Sequence, residues 1–302
     1  MLTLNQLRHF HLVAETGNFA QAARLAHITQ PALSNSIRLL EEKLALQLFD
    51  RRDRPVRLTA AGRELLARSQ TLLSESRNLE KSISYMSEGS VGHLRIGMTA
   101  VSSASIGGEI LARWCGDRPG LSADVTVANT PILLDMLRDE TLDLVIGEAR
   151  DLPKSTTDFE TEALPLQSGG AFCRDGHPLL GKAALEFSDL LPYRFAGSHF
   201  PTVLLDELAQ HFGLKDRREI RIAIDCDNIA VLRDAVANSD LILLTTRACI
   251  RNALATGQIR QLPVEIDVNA VWQAITLKTS VPHPAIPDLR EVIREATRPR
   301  PA

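Results

Sequence analysis

Between His27 and Leu44 the chain reads HITQPALSNSIRLLEEKL. On an α-helix Gln30, Ser34 and Arg38 would share one stripe, with Asn35 beside it and Pro31 in the first turn. Leu33, Ile37, Leu40 and Leu44 would line the other face. A face needed only for solubility more usually carries Glu and Lys. Amides, a hydroxyl and a guanidinium are instead the groups that read base edges: Gln30 and Asn35 can pair with adenine, and Arg38 can take guanine or phosphate. A second group follows at once, with Arg51, Arg52, Arg54 and Arg57 inside seven residues. Four like charges so close repel one another unless something anionic lies against them, as DNA phosphates would.

Local signals say what holds these groups. Thr3 and Gln6 form a capping box ahead of a helix that buries Leu7, Phe10 and Val13. Gly17 ends that helix and Asn18 caps a second, whose FAQAARLA run is small enough for close helix packing. His27-Ile28 turns the chain, and Thr29 caps the third helix. A short helix, a tight turn and an amphipathic helix with a polar outer face is the helix-turn-helix pattern. LQLFDRRDRPVRLT then reads as two short strands, around Phe49 and Val56–Leu58, with the arginines on the hairpin. That is a wing.

The stretch from Leu4 to Gly62, with LRHFHLVAETGNFAQAARLAHITQPALSNSIRLLEEKL followed by LFDRRDRPVRLTAAG, resembles the N-terminal domain of LysR-type transcriptional regulators. The match covers about sixty residues with helix, turn and wing in register. Many members carry a basic or long polar residue just after the position of Ser34; this chain has Asn35, so a base preference does not carry over. The resemblance implies a regulator that binds double-stranded DNA. RNA polymerase is a candidate further partner.

Thr59 caps the next segment. Leu65, Leu72, Leu79 and Met86 recur every seven residues, with Ser69, Ser76 and Ile83 interleaved. Such a repeat makes a seam against another helix, and the resemblance places the dimerising linker helix here. A dimer or tetramer of identical chains is expected. Glu88-Gly89-Ser90-Val91-Gly92 reads as a hinge.

From His93 short apolar strands (LRIGM, ADVTVA, LDLVIG) alternate with helical stretches at about 101–116 and 130–140, the second opened by a Thr130 cap and Pro131. A second such unit begins near Leu164. A strand over Val268–Thr279 and a helix over Pro287–Arg298 are left over. The pattern is α/β with largely parallel sheets, in two lobes that the chain crosses between twice. Ligands in such folds sit beyond the carboxyl ends of strands. Those ends supply Thr99, Ala100, Ser102, Thr130, Gly147, Ser198, Phe200, Asn228 and Thr245 as candidate effector contacts. Hydroxyls at helix starts suit a small anion, and an anionic effector is expected; Glu148 and Asp227 could also favour a ligand bearing an amine. The order of lobes resembles the effector-binding domain of the same regulators, itself similar to periplasmic solute-binding proteins. Where that family usually has a glycine-rich turn and a Leu-Pro pair, this chain has Asn238-Ser239-Asp240 and Thr245-Thr246.

The expected layout is therefore a winged helix-turn-helix over 1–58, a linker helix over 59–89, one effector-binding lobe from 90–163 with 267–302, and a second from 164–266. Charge follows it. Residues 1–60 hold eight Lys/Arg against five Asp/Glu, which makes them +3; the net charge of −3 leaves −6 on the remainder. A basic head on an acidic body suits a polyanion at one end only. Cys115, Cys173, Cys226 and Cys249 have no zinc spacing and read as free thiols, with a redox pair as the alternative. No metal or cofactor site is expected. There is no membrane-length apolar run and no secretory signal in MLTLNQLRHF, so a cytoplasmic location is the default. A solute-binding protein without regulatory output fits the body but not the basic head. The scattered histidines and the absence of GxSxG or a phosphate loop argue against an enzyme.

Overall fold

The computed structural model describes residues 2–50, 55–87, 92–116, 120–266 and 268–298. The chain divides into two compact units, Met1–Met86 and Ser87–Ala302.

In the first unit, helix α1 spans Leu4–Thr16 behind the Thr3–Gln6 capping box and buries Leu7, Phe10 and Val13. Gly17 ends it at φ 60°. A Cβ there would lie 2.9 Å from Cβ of Pro55, so the position needs both a left-handed backbone and no side chain. Helix α2 (Phe19–Leu25) starts at Asn18, whose side-chain oxygen accepts from Ala20 N and Gln21 N. Helix α3 (Gln30–Leu44) is capped by Thr29 and buries Leu33, Ile37 and Leu40. The strands β1 (Phe49–Asp50) and β2 (Arg57–Leu58) pair antiparallel. All of these close on one core of Phe10, Val13, Leu33, Ile37, Leu40, Leu48 and Phe49. Buried Glu41 ties α3 to the wing, its Oε1 accepting from Leu48 N at 2.8 Å and Phe49 N at 3.3 Å. The long helix α4 runs over Ala60–Ser87.

The second unit opens with β3 (His93–Met98), the short helix α5 (Ala100–Ser102), a π-helical turn over Ser103–Gly107 and α6 (Gly108–Cys115). There follow β4 (Ser122–Val127), α7 (Thr130–Arg138), β5 (Leu144–Glu148) and β6 (Phe159–Ala163). Next come β7 (Gly169–Arg174), β8 (Phe195–Gly197), α8 (Thr202–His211), β9 (Ile222–Asp225), α9 (Ile229–Ala237), β10 (Ile242–Thr246), α10 (Arg251–Ala255) and β11 (Ile259–Gln261). The chain ends with β12 (Trp272–Leu277) and α11 (Ile286–Thr297).

These strands form two five-stranded sheets, ordered β4-β3-β5-β12-β6 and β11-β7-β10-β8-β9. Alternating strands and helices give the parallel pairs β3·β4, β3·β5, β8·β9 and β8·β10. Both sheets are nonetheless mixed, not largely parallel: β12 runs antiparallel to β5 and β6, and β7 runs antiparallel to β10 and β11. Apolar alternation marks a strand but not its direction, which the connections decide. Each sheet is covered on both faces. Trp114, Trp272 and Leu289 belong to the core on one side of the first, and Phe195 and Leu208 to that on one side of the second.

Candidate DNA interface and effector cleft

On α3 the predicted stripe faces outward: Gln30, Pro31, Asn35 and Arg38 are exposed and Ser34 half-buried. Arg38 donates through Nη2 to Asn35 Oδ1 at 2.7 Å and through Nη1 to Glu42. The guanidinium is thus held over the helix surface beside an amide. Gln30 and Ser34 line a groove with Asn18, Phe19, Pro55 and Val56, so the helix and the base of the wing share one concave face. Thr29 is spent on its cap, accepting from Ala32 N. Arg57 is exposed on β2, whereas Arg51, Arg52 and Arg54 lie outside the described residues.

The heptad of α4 divides. Leu65 packs against the head's own core. Ser69 is buried beneath it, bonded to His11 Nε2 at 2.7 Å. Further along, Leu72, Leu79 and Ile83 are 56%, 63% and 56% exposed and form an apolar row. The side chain of Met86 lies outside the described residues.

In the second unit a cleft of about 650 Å³, partly open to solvent, lies where the two sheets face each other. Of the predicted contacts Thr99, Ala100, Ser198, Phe200 and Thr245 line it; Ser102, Thr130, Gly147 and Asn228 do not. Ser102 is fully buried and its hydroxyl donates to Thr99 O and Ile146 O. Thr130 is also fully buried: its Oγ1 accepts from Glu148 N at 2.9 Å, and Asn129, not Thr130, caps α7. Asn228 is occupied as the cap of α9. These hydroxyls and amides hold the rim together and leave the lining to others.

Sequence reasoning missed much of that lining. Arg150 and Asp151 follow β5 on a single 3-10 turn. Nη1 of Arg150 bonds Glu148 Oε1 at 3.1 Å and Asn269 O at 2.9 Å, and its Nε reaches Glu207 at 3.4 Å. Burial raises the Glu148 carboxyl, a shift that Arg150 and N–H donors from Val271 and Arg150 oppose. His199 stands at φ 33°, in a left-handed turn between β8 and α8. Its Nε2 lies 3.1 Å from Asp151 Oδ2, and its backbone N–H donates to Asp225. The Asp151 bond chiefly holds the imidazolium above its ordinary range, burial opposes this, and Asp225 and Asp227 add to it. A turn residue with φ above zero is a feature that Ser-His-Phe-Pro does not advertise.

Ser105 and Thr246 join the two sides beneath the cleft, hydroxyl to hydroxyl at 2.8 Å, and Arg251 donates to the Ser105 carbonyl. Beside them Cys249 is pushed up to about 11, mainly by burial, and Cys173 likewise to about 11. Neither is a thiolate near neutral pH, and all four cysteines are free. Among the described residues no group of three or more His, Cys, Asp or Glu could hold a metal ion, and no helix is long and apolar enough to cross a membrane.

Comparison with known proteins agrees with both halves. Residues 4–63 match the family described as bacterial regulatory helix-turn-helix protein, lysR family, and residues 87–298 match the LysR substrate binding domain. The chain is 35% identical over 266 residues to the SDS degradation transcriptional activation protein of Pseudomonas sp. (strain ATCC 19151), covering 87% of this chain and 85% of that one. It is 25% identical over 297 residues to the transcriptional regulator PcaQ of Agrobacterium fabrum, covering 98% and 95%. A full-length OxyR variant from Pseudomonas aeruginosa has a similar fold, with TM-score 0.64 at 22% identity over 100% of this chain and 98% of that one. So does full-length CbnR complexed with its target DNA, with TM-score 0.58 at 19% identity over 98% and 100%. With its helix-turn-helix head and its two mixed α/β sheets, the chain belongs to the LysR family of DNA-binding transcriptional regulators, which are not enzymes.

Proposed function

We propose that this regulator acts in the cytoplasm as a homo-oligomer, a dimer or tetramer paired through α4, and that a small molecule in the cleft sets its affinity for an operator or the geometry of the bound DNA. The observation that carries the reading is the cleft itself, where Thr99, Ala100, Ser198, Phe200 and Thr245 from two sheets meet. A ligand touching both sides favours one disposition of the lobes, and it shifts the equilibrium by its differential affinity for the two.

In this reading the groove is read by Gln30, Ser34, Asn35 and Arg38, and phosphates are held by Arg51, Arg52, Arg54 and Arg57. Leu72, Leu79 and Ile83 support pairing, because such an exposed row gains from a second apolar surface. RNA polymerase is the partner through which an activator would work. An anionic effector has the helix start at Thr99 and the Arg150 guanidinium in its favour, whereas Glu148, Asp151 and Asp227 on the same wall stand against it.

The test has two steps. Genomic fragments retained by the full-length protein are sequenced, and the strongest is used in a salt-titrated binding assay. Compounds suggested by the neighbouring genes are then added. Alkyl sulfates join that screen because one relative is named for SDS degradation. A change in affinity or footprint supports the reading. Specific binding that no compound alters, with no ligand bound in calorimetry, would sink the effector half.

A further inference from the structure

Among the described residues that line the cleft, the carboxylates Glu148, Asp151 and Asp227 outnumber the basic groups Arg150 and His199, and both basic groups are already engaged. Arg150 lies between Glu148 and Glu207, at 3.1 Å and 3.4 Å. His199 lies against Asp151 at 3.1 Å, with the charges of Asp225 and Asp227 also acting on it. Asp227 accepts from the Ser198 hydroxyl at 2.9 Å, and among the described residues no Lys or Arg pairs with it. The rest of the wall is mostly apolar, including Val101, Leu204, Leu244 and Trp272. At the floor Thr245 is more than nine-tenths buried, and its hydroxyl has no N–H or O–H partner. The Cys249 thiol beside it is only a weak partner, so a ligand's N–H or O–H donor would gain a buried acceptor.

We propose that the cleft selects a small amine, an apolar body bearing an ammonium head, and discriminates against the carboxylate of the same shape. This rests on the cleft being the effector site. The reason is electrostatic. An added anion would face at least one uncompensated carboxylate at short range, in a partly desolvated space where Coulomb energies exceed those in water. An ammonium group meets the same carboxylate as a partner, and its N–H groups have Asp227 and the Thr245 hydroxyl to donate to. An alcohol with the same body supplies a donor without charge and falls between the two.

The test is calorimetry on the full-length protein with hexylamine, 1-hexanol and hexanoate at neutral pH and one ionic strength. Cleft occupancy is defined by loss of binding in Ala100→Trp, which fills the space. The expected result is that hexylamine binds roughly tenfold or more tighter than hexanoate. Asp227→Asn should erase most of that preference. Asp227→Glu restores the charge and should restore the preference, which separates charge from any disturbance of the turn. Hexanoate binding in the cleft as tightly as hexylamine would overturn the amine assignment and leave the cleft a ligand site. If none of the three shows saturable binding that Ala100→Trp removes, both this assignment and the reading of the cleft as a receptor for apolar-bodied ligands fall.

Discussion

Nε2 of His199 stands 3.1 Å from Oδ2 of Asp151, so the turn that follows β8 of the second sheet is paired with the turn that follows β5 of the first, at the cleft. The folded state holds the imidazolium above its ordinary range of 6.5. A group raised in this way stabilises fully below its unfolded value, and the contribution is lost as pH rises through the folded one. The latch should therefore tighten as pH falls from above that raised value toward 6.5. His199 is 39% exposed and solvent screens the pair, which keeps its worth within about 0.2–1 kcal/mol. The His199 ring proton, followed by NMR, should titrate lower in Asp151→Asn than in wild type; equal midpoints would reject the latch.

Arg38→Ala should weaken specific DNA binding by about 1–3 kcal/mol. The side chain is exposed, and among the described residues it bonds Asn35 and Glu42 of its own helix, so the fold should survive its loss. Anisotropy titrations at matched salt check this. Equal affinity for operator in both proteins would move the base contacts elsewhere on the stripe.

Glu41→Ala should loosen the wing. Two backbone N–H groups, of Leu48 and Phe49, lose their buried acceptor, at a cost of about 1–3 kcal/mol. Thermal unfolding should register the loss. DNA binding should also become less salt-dependent, since the strand that carries Arg57 is held less firmly. A variant as stable as wild type would show that water replaces the carboxylate.

Leu72→Glu should break pairing and spare the head. Leu72 is 56% exposed in the single chain, so a charge there costs the monomer little, but in a paired seam it would be buried against its own copy. Sedimentation decides, and an unaltered assembly would place the subunit contact on another surface.

Thr130→Val and Thr245→Val should part company. Thr130 is fully buried and accepts from Glu148 N, so its replacement should cost stability, about 1–3 kcal/mol, and leave ligand affinity in the folded protein unchanged. Thr245 lines the cleft with a hydroxyl that meets no N–H or O–H donor, so its replacement should weaken the ligand and barely touch stability. Differential scanning calorimetry and ligand titration together separate the two. The same phenotype in both would mean that the rim and the lining are not distinct.

The contrast between Arg38 and Asp151 shows what a sequence exposes. The caps of α1 to α3, the seven-residue repeat and the polar stripe of α3 are local, fixed by neighbours within a few positions, and they are readable residue by residue; the cap of α7 is Asn129, one residue before the Thr130 that the sequence suggests. Asp151 and His199 meet because two sheets face each other, and nothing within reach of either residue in the chain signals it. Thr99, Ser102 and Thr130 look alike as hydroxyls at strand ends. Only the packing decides that the Thr130 and Ser102 hydroxyls turn inward to Glu148 and Ile146. Strand β12 is legible as a strand, but its antiparallel course is not, because the direction belongs to the route the chain takes to reach it.

That route gives the molecule an order of completion during synthesis. Strand β12 lies between β5 and β6, yet β7 to β11 are all translated before it. Until residue 272 emerges, β6 has no neighbour and β5 keeps an open edge, the kind of edge that templates pairing with other chains. The DNA-binding head, by contrast, draws its core from the first residues made. A message cut short before residue 272 would yield a head able to occupy operators, joined to a body that lacks Trp272, Ala274 and Ile275 from its cores. Such a fragment would hold its sites without hearing the small molecule, and where it also paired with intact chains it would silence them.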